Sequence, residues 1–465
     1  MKKNKIYSLL LIVSIPMLLT SCFSAKEYAR PEIINQDQYF TSAISKDSLS
    51  MAQVPWKDMF TDRVLQNYIE ETLTNNIDIR VALQQIVAAE AYFKQGKAGY
   101  FPTLNGSANY THQENSENSQ FGSSFPSLDS YELAGNLSWE ADIWGKIRSN
   151  KRAYNASYLQ TVAAHKVVKT ELIAQVSTIY YQLLSIDEQI KITEETIGNR
   201  EKSLETTKAL KDAGNVTEVG VKQTEAQLYT AQAILIDLKI QERLLENTMS
   251  ILLGKVPENI NRNTLENQVI TTDLNTGIPS QLLSNRPDLM AAEYQLMQAF
   301  ELTNVARSNF YPSLTLSASG GFQSLDFDNF FNTNSLFATL VGGLTQPIFN
   351  GRKIKTQYEV SQAQQEQAQL QFKQAFLVAS KEVSDALYSY QAFTEKIEVK
   401  QKEYDAYNLA SEYSTELLNN GYANYLEVLV AQENALNSRL SLISIKYNQL
   451  KSIVDLYKAL GGGWL

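Results

Sequence analysis

Residues able to do covalent chemistry are few in this chain. One cysteine, Cys22, and two histidines, His112 and His165, are its whole supply of thiol and imidazole. Cys22 closes the run Leu19-Thr20-Ser21-Cys22, which follows Lys2, Lys3, Lys5 and an apolar stretch from about Tyr7 to Leu19. A basic start followed by a short apolar centre describes a secretory leader, residues 1–21, too short to span a bilayer as a helix. A small residue directly before a cysteine is the pattern of a bacterial lipoprotein processing site. There the thiol takes a diacylglycerol, and the amine freed by cleavage takes a further acyl chain. Several buried tails hold a protein stably at a membrane, so Cys22 is the expected lipidation site. As the single cysteine it has no partner for an internal disulfide. Phe23 follows it, where lipoproteins kept at the inner membrane typically carry Asp, and outer-membrane delivery is expected.

Nothing else has the spacing of a catalytic centre. There is no Gly-rich phosphate loop and no HExxH, and the two histidines stand far apart. His112 is expected in an external loop and His165 in a helix, both with ordinary surface roles and not as metal ligands. With Cys22 acylated, no Cys–His nucleophile remains. The methionines do not cluster, so nothing points to copper as cargo. No enzyme activity, cofactor or metal is expected. The chain carries 41 Lys and Arg against 50 Asp and Glu, and loss of the three leader lysines deepens the net charge from −9 to −12. An acidic balance without a clustered basic surface argues against a nucleic-acid partner.

The elements that must position these residues are mostly long helices. Gly and Pro number only 20 and 10 in 465 residues, while Ala, Gln, Glu, Leu and Lys abound, which is the composition of long helix. Residues 352–420 contain neither Gly nor Pro; as one helix they span about 100 Å. The matching stretch 146–213 is interrupted only by Gly198. The return helices carry apolar residues at spacings of 3 and 4, from Leu426 to Tyr457 with Glu433 as the one charged member, and from Val221 to Leu252 with Glu242 likewise. That spacing is a coiled-coil seam. Gly214 and Gly421 stand where each long helix must turn back, a position that asks for positive φ.

The chain also repeats itself at an offset of about 207 residues, far longer than a solenoid unit. Tyr100-Phe101-Pro102-Thr103-Leu104 returns as Phe310-Tyr311-Pro312-Ser313-Leu314, and Leu252-Leu253-Gly254 as Ala459-Leu460-Gly461. The expected organisation is a lipidated extended segment, 22–62, then a first repeat, 63–265, a linker, 266–285, and a second repeat, 286–465. Each repeat reads helix, strand pair, long helix, turn and return helix. The strands are expected at 103–111, 131–143, 313–324 and 337–349, and alternation shows in Leu314, Leu316 and Ala318. The mature chain has no apolar run of 18 residues, so a membrane crossing requires a closed barrel. Four strands cannot close one, whereas three copies supply twelve. The fold class is therefore mainly α with a small β part: two pseudo-equivalent halves with long coiled-coil helices, whose four strands join a trimeric, 12-stranded transmembrane β-barrel.

These features together resemble the TolC-like outer-membrane efflux family, in its lipoprotein branch serving resistance-nodulation-division pumps. The residues that carry the resemblance are Cys22, Pro55-Trp56 leading to Phe60, the aromatic-Pro junctions, Trp139-Glu140-Ala141-Asp142-Ile143-Trp144-Gly145, and Ser284-Asn285-Arg286-Pro287-Asp288-Leu289. The last is mechanically a helix start, with Ser284 or Asn285 as cap and Pro287 in the first turn. The resemblance implies a homotrimer lipid-anchored in the cell outer membrane, its coiled-coil helices forming a tapering α-barrel that extends into the periplasm. It implies two partners, a periplasmic adaptor and an inner-membrane pump, with the turns at Gly214 and Gly421 as adaptor-contact tips. It also implies a periplasmic gate just after the second tip. The family carries two acids there; Glu427-Val428-Leu429-Val430 keeps the first, Glu427, and replaces the second by Val430. Two alternatives remain at this point: an outer-membrane channel for protein secretion, and a lipid-tethered periplasmic rod.

Overall fold

The computed structural model describes residues 25–31, 50–120, 122–268 and 281–464; the leader, Cys22 and most of the expected linker lie outside them. The main elements are α1 (Arg63–Asn75), α2 (Ile77–Ala98), β1 (Thr103–Glu114), β2 (Ser127–Ala141), α3 (Lys146–Asp212), α4 (Glu218–Leu252), α5 (Pro287–Ser308), β3 (Ser313–Ser324), β4 (Leu336–Thr345), α6 (Lys353–Asn419) and α7 (Tyr425–Ala459). The two halves match in length, with α2 and α5 both 22 residues, α3 and α6 both 67, and α4 and α7 both 35. The segment expected to be extended before residue 63 carries a 3-10 turn, Met51–Gln53, and a short helix, Trp56–Met59.

The long helices run unbroken because nothing in them breaks a helix. At Gly198 an added Cβ would meet nothing within 4 Å, so that glycine costs only about 1 kcal/mol of propensity. Both helices stop where glycine takes positive φ, +79° at Gly214 and +75° at Gly421. In each turn two amides reach back to the helix end: Gly214 N to Lys211 O and Asn215 N to Leu210 O (both 2.9 Å), then Gly421 N to Leu418 O (3.0 Å) and Tyr422 N to Leu417 O (2.8 Å). These satisfy carbonyls that a helix end otherwise leaves unpaired.

The strands form one antiparallel sheet in the order β1-β2-β3-β4. β3 has the limits expected from the sequence, and the other three strands differ. β1 continues to Glu114 and β2 begins at Ser127, so His112 is a strand residue and not a loop residue; its Nδ1 lies 2.8 Å from Asp129 across the ladder. β2 stops at Ala141 because Asp142 turns to cap α3, accepting from Ile147 N (2.8 Å) and Arg148 N (3.0 Å). β4 stops at Thr345, just before Gln346-Pro347, since proline has no amide to continue a ladder.

Two compact units divide the chain. One comprises the sheet with residues 86–161 and 292–372 and the N-terminal 25–31; the other comprises 50–85, 162–291 and 373–464. The second unit holds the core, where Met59, Phe60, Ile69, Leu183, Met249 and Val454 are buried together. Phe60 meets Tyr457 edge-on at 6.0 Å, and the Tyr457 hydroxyl donates to Val54 O at 2.7 Å. Within this unit the duplication is visible at side-chain level. Asn76, just before α2, donates to Leu252 O at 3.0 Å, and Arg286, just before α5, donates to Ala459 O at the same distance. Gly254 and Gly461 end the return helices at positive φ, and a Cβ on either would run into the backbone carbonyl of Asn75 or Asn285. Each return helix is thus tied at its C-terminus to the start of a 22-residue helix, α4 to α2 and α7 to α5. The expected capping by Ser284 or Asn285 does not occur. Both sit in a short helical turn, Leu282–Asn285, while Arg286 takes the extended conformation before Pro287 and its carbonyl accepts from Met290 N.

Candidate functional site

The sheet has two chemically opposite faces. Cross-strand neighbours lie on one face, and the register places Leu104 opposite Leu137, Trp139 opposite Leu316, and Ala318 opposite Leu340. The alternate positions pair Asn105 with Asn136, Asn109 with Glu132, and Ser319 with Thr339. The apolar face is not covered: Leu104 is 74% exposed, Leu340 72% and Leu344 69%. A soluble sheet buries that face, because leaving each such side chain in water forfeits about 1.5–3 kcal/mol. Aromatic residues collect at both ends. Tyr110 and Tyr131 lie 5.1 Å apart, with Phe327 5.4 Å beyond Tyr131. At the other end Trp144 stacks on Tyr311 at 4.8 Å and donates to Pro312 O at 2.7 Å, and Trp139 donates to Tyr100 O at 2.9 Å. Apolar outside, polar inside and aromatic at both rims is the dress of a membrane barrel wall. No helix among the described residues is long and apolar enough to cross a membrane.

The two helical turns are brought side by side. Tyr425, four residues past Gly421, shares a 2.5 Å hydrogen bond with Thr224 of α4, and its ring lies 3.8 Å from the Cβ position of Gly220. Lys211 and Glu218 pair across the first turn at 3.3 Å. Around both glycines the Cβ space is empty, so conformation and not crowding explains their choice. Glu427 stands exposed in the first turn of α7, which Asn424 caps by accepting from Leu426 N at 3.1 Å. Val430, one turn on, is also exposed. His165 lies in α3 as expected, where burial and the charge of Lys169 lower its pKa.

Three arginines matter that no motif announced as sites. Arg200 of α3 is buried, pairs with Glu433 of α7 at 2.7 Å, and donates to Gln227 O of α4. Arg262, beyond α4, meets Asp187 at 2.5 Å, Glu242 at 2.5 Å and Glu246 at 2.8 Å. Arg286 pairs with Asp288 at 2.6 Å and Glu382 at 2.7 Å. Burial disfavours the charge on Arg262 and on Arg286, but the hydrogen bonds each donates to the facing carboxylates, with the charge of those carboxylates, outweigh it and raise both pKa values. A signal for two of them was present. Glu433 and Glu242 are the charged members of the two apolar seams, and each proves to face a buried arginine from another segment. An acid in a seam needs a cation, since an unpaired buried charge is costly.

Cys22 lies outside the described residues, but the chain three residues later is firmly held. The Asn304 side chain on α5 brackets Lys26, accepting from its amide at 3.1 Å and donating to its carbonyl at 3.0 Å. Arg30 grips Glu293 with two bonds of 2.6 and 2.7 Å, and Tyr28 packs edge-on against Phe300 at 5.6 Å. Ala25 touches the strand-to-helix junction, 3.3 Å from the Cβ position of Gly145.

A two-faced, open-edged sheet continued by 67-residue helices defines an outer-membrane channel protein. The family model for outer membrane efflux proteins matches residues 68–255 and 278–462, and the chain belongs to that family. It is an outer-membrane efflux channel. Along nearly its whole length it is similar to the probable outer membrane lipoprotein SilC of Salmonella typhimurium, 27% identical over 98% of this chain and 99% of that one. It is also similar to the toluene efflux pump outer membrane protein TtgI of Pseudomonas putida, 29% identical over 97% of this chain and 98% of that one. The solved structure of CusC, described in terms of folding and transmembrane channel formation, superposes with a TM-score of 0.85 at 25% identity, covering 94% of this chain and 99% of that one.

Proposed function

We propose that three copies of this chain close their sheets into one 12-stranded barrel and act as the passive outer duct of a tripartite efflux system. An inner-membrane pump supplies the energy, and a periplasmic adaptor docks on the turns at Gly214 and Gly421. The observation that carries this reading is the uncovered apolar face of a sheet whose outer strands, β1 and β4, have no partner strand among the described residues. Open edges are not tolerated in lipid, and four strands do not close. The helices support association as well. On α4, Val219, Tyr229, Ile236, Ile240, Leu244 and Ile251 are all more than half exposed. At 100° per residue they fall in one sector of about 100°, opposite the face that Val221, Thr224 and Leu238 bury within the chain. A helix apolar on two faces needs two neighbours. Mass measured in detergent should equal three mature chains; a monomer that inserts stably in bilayers contradicts the proposal.

In the same reading residues 1–21 are removed and Cys22 is acylated. The bracketed segment 25–31 supports this. Ala25 rests at the rim of the sheet, and Cys22 precedes it by three residues, a reach of at most about 11 Å, consistent with an anchor in the same membrane. Cys22→Ala should accumulate as an uncleaved precursor that takes up no labelled palmitate. Normal maturation of that variant would sink the assignment. Glu427, repeated in three copies, forms the constriction in this reading. The boundaries 22–62, 63–265, 266–285 and 286–465 remain its proposed organisation. No described feature favours protein as the cargo or a purely structural rod, and the uncovered apolar sheet disfavours the rod.

A further inference from the structure

The internal duplication says how one copy meets the next at the membrane rim. Inside the chain, the junction after β2 packs on the start of the neighbouring strand, β3. Trp144 there stacks on Tyr311 at 4.8 Å and donates to Pro312 O at 2.7 Å. The junction after β4 again has a glycine at positive φ, Gly351 as Gly145, and its aromatic stands one residue earlier: Phe349 is two residues before Gly351, where Trp144 directly precedes Gly145. Its own neighbour in strand order is missing, and Ile348 and Phe349 are left 96% and 91% exposed. The start of β1 repeats the start of β3, with Phe101-Pro102 in place of Tyr311-Pro312, and Phe101 is 73% exposed. Both unmatched surfaces thus carry exposed aromatic side chains at the places where, inside the chain, Trp144 and Tyr311 meet.

We infer that Ile348 and Phe349 of one copy pack on Phe101 and Pro102 of the next, at the place between copies where Trp144 and Tyr311 meet within one. The inference rests on the trimer proposed above and names the residues of its rim. Geometry agrees, because β4 ends at the same side of the sheet where β1 and β3 begin. Leu344 and Leu104 both belong to the apolar face, so β4 can meet β1 of the next copy only in registers that set even-numbered residues opposite even-numbered ones. A slip of one residue would turn every leucine of β4 into the polar interior.

Cysteine pairing tests this directly, since the native chain has no thiol besides Cys22. In full-length protein in outer-membrane fractions, the double variant Phe101→Cys, Phe349→Cys is treated with a short bis-maleimide. The expected product is a covalent trimer as the main band after boiling. Co-expression of the two single variants should give dimers and nothing larger, and each single variant alone no product. Phe349→Cys combined with Phe125→Cys, at the far end of the sheet, should also stay uncross-linked. A double variant that is trimeric by mass yet gives no covalent product overturns the inference and leaves the trimer standing. A double variant that is monomeric by mass, where the unsubstituted chain is also monomeric, overturns both. Equal cross-linking of the Phe125 pair overturns the inference by showing random collision.

Discussion

Replacing Arg262 with methionine lowers the stability of the folded chain by about 3 kcal/mol, the largest loss expected from any single ion-pairing residue here. Arg262 is 9% exposed and holds Asp187, Glu242 and Glu246 at one point, joining α3, α4 and the segment that follows α4. Methionine keeps the volume and removes the charge. Glu246, 7% exposed, is then buried beside two like charges, with only Arg243 at 3.4 Å for compensation. Breaking a buried pair typically costs about 3–5 kcal/mol. Asp187 and Glu242 are 37% and 29% exposed and regain water, which holds the expected loss near the low end. Lys239→Met is the contrast: its partner Glu194 and Lys239 itself are both 52% exposed, and such pairs contribute about 0–1 kcal/mol. Thermal midpoints in detergent should separate the two variants clearly. Equal midpoints would show that the Arg262 cluster is solvated in the assembled protein.

The second large effect is electrical. Glu427→Lys replaces three negative charges at the proposed constriction by three positive ones. At about 8 Å a unit charge acts on a passing ion with about 0.5 kcal/mol in water, so the swap amounts to about 3 kcal/mol, cut to about 1 kcal/mol by screening at physiological salt. That is about a fivefold fall in cation entry and the inverse for anions. Reversal potentials across a salt gradient should move toward anion preference in Glu427→Lys and toward neutrality in Glu427→Gln. With Val430 in the second acidic place, divalent block should be modest. An unchanged reversal potential in Glu427→Lys would leave Glu427 as a first-turn acid, where the helix dipole alone gives it about 0.3–1 kcal/mol.

How far the sequence could be read depended on how local each cause was. The long helices were legible almost to the residue, 146–213 against Lys146–Asp212 and 352–420 against Lys353–Asn419, because a stretch without Pro, and with Gly198 as the one interior glycine of the two, has no strong local reason to stop before the turn glycine. The apolar seams held as well, apart from Leu426, which is exposed. Strand ends were less legible. The stop at Ala141 is set by Asp142 reaching forward to α3 amides, and the extension to Glu114 goes with His112 facing Asp129 across the ladder; neither is encoded in alternation. Arg286 was read as part of a helix start. Its partners Glu382 and Ala459 stand far off in sequence, and no spacing rule connects them. The two turn glycines were legible as turn residues from chain reversal alone, whereas the arginine partners of Glu433 and Glu242 required the fold.

Current through the purified protein in a planar bilayer tests the central claim most directly. A passive duct must conduct ions with no energy source, in discrete unitary steps that prefer cations. At rest those steps should be small, and they should grow in Arg200→Ala, which unties α3 from Glu433 of α7 and from α4 near the tips. A trimer that inserts in the bilayer yet passes no unitary current, in the unsubstituted chain and in Arg200→Ala alike, would contradict the account.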